Sequence, residues 1–160
     1  AERALNQIRE WMEAAGLTLH PDKTRIVDAT VPGGFDFLGW HFERGQKWPR
    51  DKSVARFKET LREETPRTSG LSLAVIIERV NRRLRGWYRY FQGGVKYVYD
   101  RLDRWLRGRL RSILRRRDGR KGRGRGRDHQ RYPNEYFAKH KLISLYASAC
   151  GERTSPAHCG

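Results

Sequence analysis

Arginine is the residue type whose spacing could do chemistry here. Arg82, Arg85 and Arg89 recur at steps of three and four, and so do Arg104, Arg107, Arg111 and Arg115. A guanidinium is planar, permanently charged and matches a phosphate with two parallel N–H donors. A row of them at helical spacing is a surface for a polyanion, not a reaction centre. The sequence offers no paired carboxylates in a pocket-like context and no phosphate-cradling glycine loop. It also offers no Ser/His/Asp set that can be placed together. Cys150, His158 and Cys159, with His140 upstream, lack the close paired spacing of a structural zinc site. The expected chemistry is electrostatic binding, with no metal and no cofactor on the chain.

The charge balance sharpens this. The 160 residues carry a net +17. Residues 1–64 hold 11 basic and 11 acidic side chains, residues 65–100 hold 7 against 2, residues 101–127 hold 13 against 2, and the rest 4 against 3. A charge kept only for solubility would be spread evenly; this one is a local footprint of the kind nucleic-acid binders carry. No apolar run approaches the length of a spanning helix and no signal peptide is visible, so no membrane partner is expected. Both cysteines lie near the C-terminus, which fits a reducing cytoplasm better than a disulfide framework. Nothing in the pattern suggests a helix reading base edges, so the expected partner is RNA, recognised by shape and backbone.

The elements that must position the arginines follow from hydrophobic spacing. Leu73, Ile76, Ile77, Val80, Leu84, Trp87, Tyr88 and Phe91 make one continuous stripe, so 73–91 reads as an amphipathic helix with Arg82, Arg85 and Arg89 on another face. Gly86, in mid-helix, costs about 1 kcal/mol against alanine. That cost suggests close approach of a neighbouring helix or a nucleic-acid backbone. Residues 95–116 read as a second long helix with a seam of Val98, Leu102, Trp105, Leu106, Leu110, Ile113 and Leu114, its arginine ladder facing solvent. Joined by Gly93-Gly94, the two helices should run antiparallel. Residues 52–64 form a shorter helix with Val54, Phe57 and Leu61 on one side, followed by a linker at 65–70. An amphipathic first helix ends at Gly16. Leu17 and Leu19 alternate like a short strand, Pro21-Asp22 turns, and residues 24–30 should pair with 35–42 as a hairpin, with Gly39 marking a bulge or a close approach. Arg115–Arg131 has no apolar residue and should be flexible until bound. Tyr132–Phe137 and Leu142–Tyr146 suggest a short helix or docking segment.

Three stretches in this order resemble one family. Gly16-Leu-Thr-Leu-His-Pro-Asp-Lys-Thr-Arg-Ile-Val27 looks like the end of the palm of group II intron reverse transcriptases. Gly34-Phe-Asp-Phe-Leu-Gly-Trp40 looks like the primer-grip hairpin that follows. Val80-Asn-Arg-Arg-Leu-Arg-Gly-Trp-Tyr-Arg-Tyr-Phe91 looks like the thumb, or maturase-specific region. Leu102–Arg111 and Pro133–Phe137 fit later segments, so the likeness covers about residues 1–146. It implies that Phe37, Leu38, Gly39 and Trp40 hold a primer terminus and that Gly86, Trp87, Tyr90 and Phe91 belong to the maturase motif. Lys23 would lie near the triphosphate of an incoming nucleotide; taken by itself it is a lysine in a surface turn. Such enzymes hold two metal ions, Mg2+ in the intact protein, on a Tyr-x-Asp-Asp strand and an earlier Asp. Neither occurs here, so the resemblance implies a C-terminal part without its own catalytic aspartates, and an upstream polypeptide as one possible partner.

The resulting expectation is an α+β, mainly α, chain from a bacterial cytoplasm. Residues 1–50 would be the end of a palm, 51–146 a helical thumb/maturase domain with a flexible basic loop at 115–131, and 147–160 a tail. Its partners would be group II intron RNA or an RNA–DNA template–primer duplex. The function expected is RNA binding in support of splicing and reverse transcription. A stand-alone RNA-binding cofactor, an inert remnant and a subunit completing a split polymerase stay open beside it.

Overall fold

A computed structural model describes residues 1–24, 26–124 and 126–151. The chain is α+β and mainly helical. Helix α1 (Glu2–Ala14) is followed by a 3-10 turn at Pro21–Lys23 and strands β1 (Phe35–Phe37), β2 (Trp40–Glu43) and β3 (Gln46–Pro49). Helices α2 (Asp51–Glu64), α3 (Leu73–Phe91), α4 (Lys96–Arg117), α5 (Arg127–Arg131), α6 (Asn134–Lys139) and α7 (Leu145–Ala149) complete it. No helix among the described residues is long and apolar enough to cross a membrane.

The hairpin differs from the one expected. The run 35–42 folds back on itself, pairing Phe35 with Phe42 and Phe37 with Trp40, and β2 then pairs with β3, Trp40 opposite Pro49. The reason lies in the turns. Leu38 and Gly39 have φ of 46° and 83°, and Arg44 and Gly45 have 49° and 71°. Two consecutive positive φ values are what a tight two-residue hairpin turn requires. A turn-competent Leu-Gly inside an apparently continuous β run splits it, and residues 26–34 stay outside the sheet. Leu17 and Leu19 likewise form no strand. Gly39 marks a close approach rather than a bulge: a Cβ there would lie 3.1 Å from Ser53 Oγ and 3.5 Å from the Phe91 ring.

Helix α3 starts where Ser72 caps it, its hydroxyl accepting from Val75 N at 3.3 Å. Its stripe is buried from Leu73 through Leu84 to Phe91. The long helices run antiparallel as expected. Tyr99, one turn into α4, donates its hydroxyl to Phe91 O at the end of α3, while Arg117, at the other end, donates to Leu71 O just before α3 begins. Gly93 supplies a φ of 79° and Gly94 a close approach, since a Cβ on Gly94 would sit 2.9 Å from the Tyr99 hydroxyl. Helix α2 lies on α3, and α7 on α4. The core joins Phe57, Leu61, Ile76, Val80, Leu84, Tyr99, Leu106, Leu110, Ile113, Phe137 and Leu145.

Two buried polar side chains tie the C-terminal segment to this core. Asn81 of α3 donates to Lys141 O at 2.7 Å and accepts from Ile143 N at 3.0 Å. Asp103 of α4 accepts from Ser144 Oγ, Leu145 N and Tyr146 N at 2.7–3.1 Å. Each satisfies backbone or capping groups that would otherwise be buried without partners.

The sheet is fastened to α3 by aromatic rings. Phe57 stacks on Trp87 at 4.7 Å, Trp87 meets Phe91 at 4.7 Å, and Phe91 meets Trp40 at 5.1 Å. Lys47 lies over the far face of this column, 4.6 Å from the Trp40 ring. By contrast α1, though amphipathic, buries nothing: Ile8 and Trp11 are 51% and 69% exposed.

Candidate nucleic-acid interface

The arginine stripe on α3 is placed as its spacing predicts. Arg82, Arg85 and Arg89 are all exposed. Arg82 has only a loose pair with Glu78 at 3.8 Å, both ends well solvated, and among the described residues no carboxylate pairs with Arg85 or Arg89. Gly86 lies in the same exposed region. A Cβ there would meet nothing within 4 Å, so no neighbouring helix explains the glycine. The expectation of a close helix is corrected; the helix surface there is simply bare. Trp87 and Phe91 belong to the aromatic column, while Tyr90 is exposed and donates its hydroxyl to Leu38 O at 2.8 Å.

That bond links α3 to the hairpin tip. Phe37 and Leu38 are 59% and 67% exposed, whereas Trp40 is buried and Gly39 lies against Ser53 and Phe91. The four residues assigned to a primer grip therefore divide into two that present apolar surface and two that anchor the turn. Lys23 is exposed on the 3-10 turn.

The ladder on α4 is not a solvent face along its whole length. Arg104 is exposed and pairs with Asp100 at 2.5 Å; Arg107 is half-buried. Arg111 is only 4% exposed. Its guanidinium donates to Tyr132 O at 2.8 Å and Asn134 Oδ1 at 2.9 Å and lies 5.3 Å from the Phe137 ring. Burial first, and the like charge of Arg107 second, pull its pKa below the usual arginine value. Arg115 donates to Lys121 O at 2.8 Å and to Asp128 at 2.7 Å. The chain returning after α4 covers this half of the helix and takes the two arginines inside.

The described residues of 115–131, where a loop flexible until bound is expected, carry helical turns and ion pairs. Helix α4 continues to Arg117, α5 occupies 127–131, and Asp128 is fully buried between Arg115 and Arg120, the second pair at 3.0 Å. Asp118 accepts from Arg120 at 2.8 Å and from the Tyr132 hydroxyl at 2.9 Å, and these groups hold its carboxyl below the usual range. Gly124 N donates to Ser112 Oγ at 3.2 Å, laying the loop on α4. Ion pairs and backbone contacts do here what apolar side chains do elsewhere, and a reading based on apolar periodicity has no means of seeing them.

Among the described residues no group of three His, Cys, Asp or Glu could hold a metal ion. His140 Nδ1 lies 2.8 Å from Tyr136 O within its own turn, while His158 and Cys159 lie outside the described residues. The residues present do not fit the two-metal centre of a polymerase, and no step is routed through one. Sequence reasoning missed Asn81, Asp103, Asp128 and Arg109, the last of which binds Thr65 Oγ1 at 2.6 Å and Thr65 O at 2.7 Å. For Asp103 a signal existed: it is a lone carboxylate at helical steps from Tyr99, Leu106 and Leu110, inside the apolar stripe.

The class of protein so defined is a mainly helical bundle with a small antiparallel sheet and an exposed arginine face on α3. Residues 54–132 match the family model of the group II intron, maturase-specific domain. That segment is a group II intron maturase-specific domain, which supports a group II intron maturase C-terminal region and implies a maturase role in group II intron splicing and interaction with intron RNA. No curated protein matches the chain.

Proposed function

We propose that this chain binds group II intron RNA directly, through the exposed arginine face of α3 and the Arg104 end of α4. Arg82, Arg85 and Arg89 neutralise phosphates that crowd together when the intron folds, and so hold the RNA in its splicing-competent form. The observation that carries the reading is the acid-poor exposure of those three guanidiniums on one rigid helix. An arginine whose partner is already a carboxylate must give it up before it binds phosphate; among the described residues Arg85 and Arg89 have none to give up.

Exposed Phe37 and Leu38, held by the Tyr90 hydroxyl, favour a second role in the intact protein. They offer an apolar tip to the end of an RNA–DNA template–primer duplex, with Lys23 near the incoming nucleotide and the polymerase centre supplied by palm residues that this chain does not carry. In that role the chain supports reverse transcription without performing it.

The test is a salt titration of binding to a folded group II intron RNA. Arg82→Ala/Arg85→Ala/Arg89→Ala should bind more weakly and lower the slope of log K against log salt by about 2–3, close to one unit per lost phosphate contact. Its melting temperature should not change. An unchanged slope in a folded variant overturns the reading.

A further inference from the structure

Three cavities lie along a single side of α4, and neighbouring ones share a residue. The first, about 300 Å³, is lined by Trp48, Val54, Lys58, Tyr97 and Arg101, among others. The second, about 370 Å³, has Arg67, Arg104, Trp105, Gly108 and Arg123 in its wall and shares Arg62 with the first. The third, about 460 Å³, includes Arg116, Gly119, Lys121 and Gly122 and shares Arg67 and Ser112 with the second. The α4 residues in this series, Tyr97, Arg101, Trp105, Gly108, Ser112 and Arg116, step by three and four, so they follow one helical face. The three cavities are one groove about 28 Å long at the α-helical rise.

The groove changes character along its length. At the α4 N-terminus it is aromatic and mixed in charge, with Asp51 and Glu59 facing Lys58 and Arg101. Toward the C-terminus it becomes cationic. No carboxylate pairs with Arg67, Arg116 or Arg123 among the described residues, and Arg62 and Arg67 both oppose the charge on Arg109 beneath them. The 118–124 loop, folded down by its ion pairs and by Gly124, supplies the far wall. Gly108 on the α4 side and Gly122 on the loop leave the groove without side chains where a ligand would lie; a Cβ on either would meet nothing within 4 Å. Each cavity has the volume of a single small ligand, too narrow for a duplex but suited to single nucleotides in series. A positive groove with an exposed ring, Tyr97, at its aromatic end is an arrangement that takes an unpaired strand, with phosphates on the arginines and a base on the ring.

We infer that the α2–α4 groove is a track for an unpaired segment of RNA, distinct from the α3 stripe, with a base against Tyr97 at one end and phosphates on Arg67, Arg116 and Arg123 at the other. This rests on the RNA reading above and assigns single-stranded RNA to the groove and folded RNA to the α3 stripe, the two meeting at Arg104.

The test is fluorescence anisotropy on the full chain, with a labelled, unstructured ten-nucleotide RNA and, separately, a folded group II intron RNA. Arg67→Ala/Arg116→Ala/Arg123→Ala should weaken the oligonucleotide and lower its salt slope by about 2, at roughly 0.7 per single-strand contact. Tyr97→Ala should weaken it about fivefold or more through lost stacking. The α3 triple variant should keep most of its oligonucleotide affinity. A ten-base-pair RNA duplex should compete poorly. Groove variants that bind the oligonucleotide like the parent, or a duplex that competes as well as the single strand, overturn the track while leaving the α3 reading standing. Failure of the parent chain to bind either RNA overturns both.

Discussion

Arg85 and Arg89 on α3 and Arg111 and Arg115 on α4 obey the same sequence rule and meet opposite fates. The first two point to solvent with no carboxylate pairing among the described residues. The second two are bound by Tyr132 O, Asn134, Lys121 O and Asp128. Periodicity specifies which residues share a face of a helix but not what covers that face. On α3 nothing among the described residues covers it at Arg85 and Arg89. On α4 the returning chain does, and long, amphipathic arginine side chains adapt by becoming interior donors. Charge at helical spacing is thus evidence of a binding surface only once the path of the rest of the chain is known.

The sharpest way to break this comparison is Arg111→Ala. It removes two hydrogen bonds from a charged donor and the packing on Phe137, and leaves Tyr132 O and Asn134 Oδ1 unmatched. The expected cost is about 3 kcal/mol, or roughly 8 °C in melting temperature for a chain of this size. Arg111→Lys should not restore it, since an ammonium lacks the two-pronged geometry. An Arg111→Ala chain that melts like the parent would return Arg111 to the solvent face. The α3 triple substitution in the same assay should not move the melting temperature at all.

Next in size is Asp103→Asn, at about 2 kcal/mol, because an amide presents donors where three donors already converge. This site also carries a pH signature. Burial pushes the Asp103 carboxyl up, against the lowering effect of Ser144, Tyr146, Leu145 and Arg107. A carboxyl whose folded pKa lies above its unfolded value holds more protons when folded. Its contribution is therefore complete below the ordinary carboxylate pKa and declines as pH rises through the raised one. The parent's stability should fall across that window relative to Asp103→Asn, measured by thermal melts from pH 3 upward. Parallel profiles would mean the backbone donors hold Asp103 charged throughout.

What could be read in the sequence, and what could not, divides along a physical line. Helices α3 and α4 were legible because Leu73–Phe91 and Val98–Leu114 bury apolar stripes of three turns or more, and burial of such stripes dominates local choice; the shorter α2 showed through Val54, Phe57 and Leu61 on one side. The strand pairing was not, because two residues, Leu38 and Gly39, redirect it by backbone φ alone. The contacts of residues 118–124 and 126–131 were not, because Asp128, Asp118 and Arg120 make pairs whose partners lie up to 14 residues apart, a distance at which no period exists. The exposure of Arg82, Arg85 and Arg89 on α3 was legible, though not the bare surface at Gly86. The α4 site was legible only at its Arg104 end, where no returning chain intervenes.

That last boundary can be tested inside one helix. Arg104 and Arg111 are two turns apart on the same face, yet Arg104 is exposed and, among the described residues, pairs only with Asp100 one turn back. An exposed pair at that spacing is worth about 0.3–0.5 kcal/mol. Arg104→Ala should therefore lower the melting temperature by only about 1 °C. If Arg104 meets phosphate as proposed, the same variant should lower the salt slope of intron RNA binding by about one unit. Arg111→Ala should do the reverse, costing stability while leaving the slope unchanged in whatever fraction stays folded. A slope that responds to Arg111 and not to Arg104 would mean that the α5–α6 segment lifts off α4 when RNA binds, so that the whole ladder serves as an interface after all.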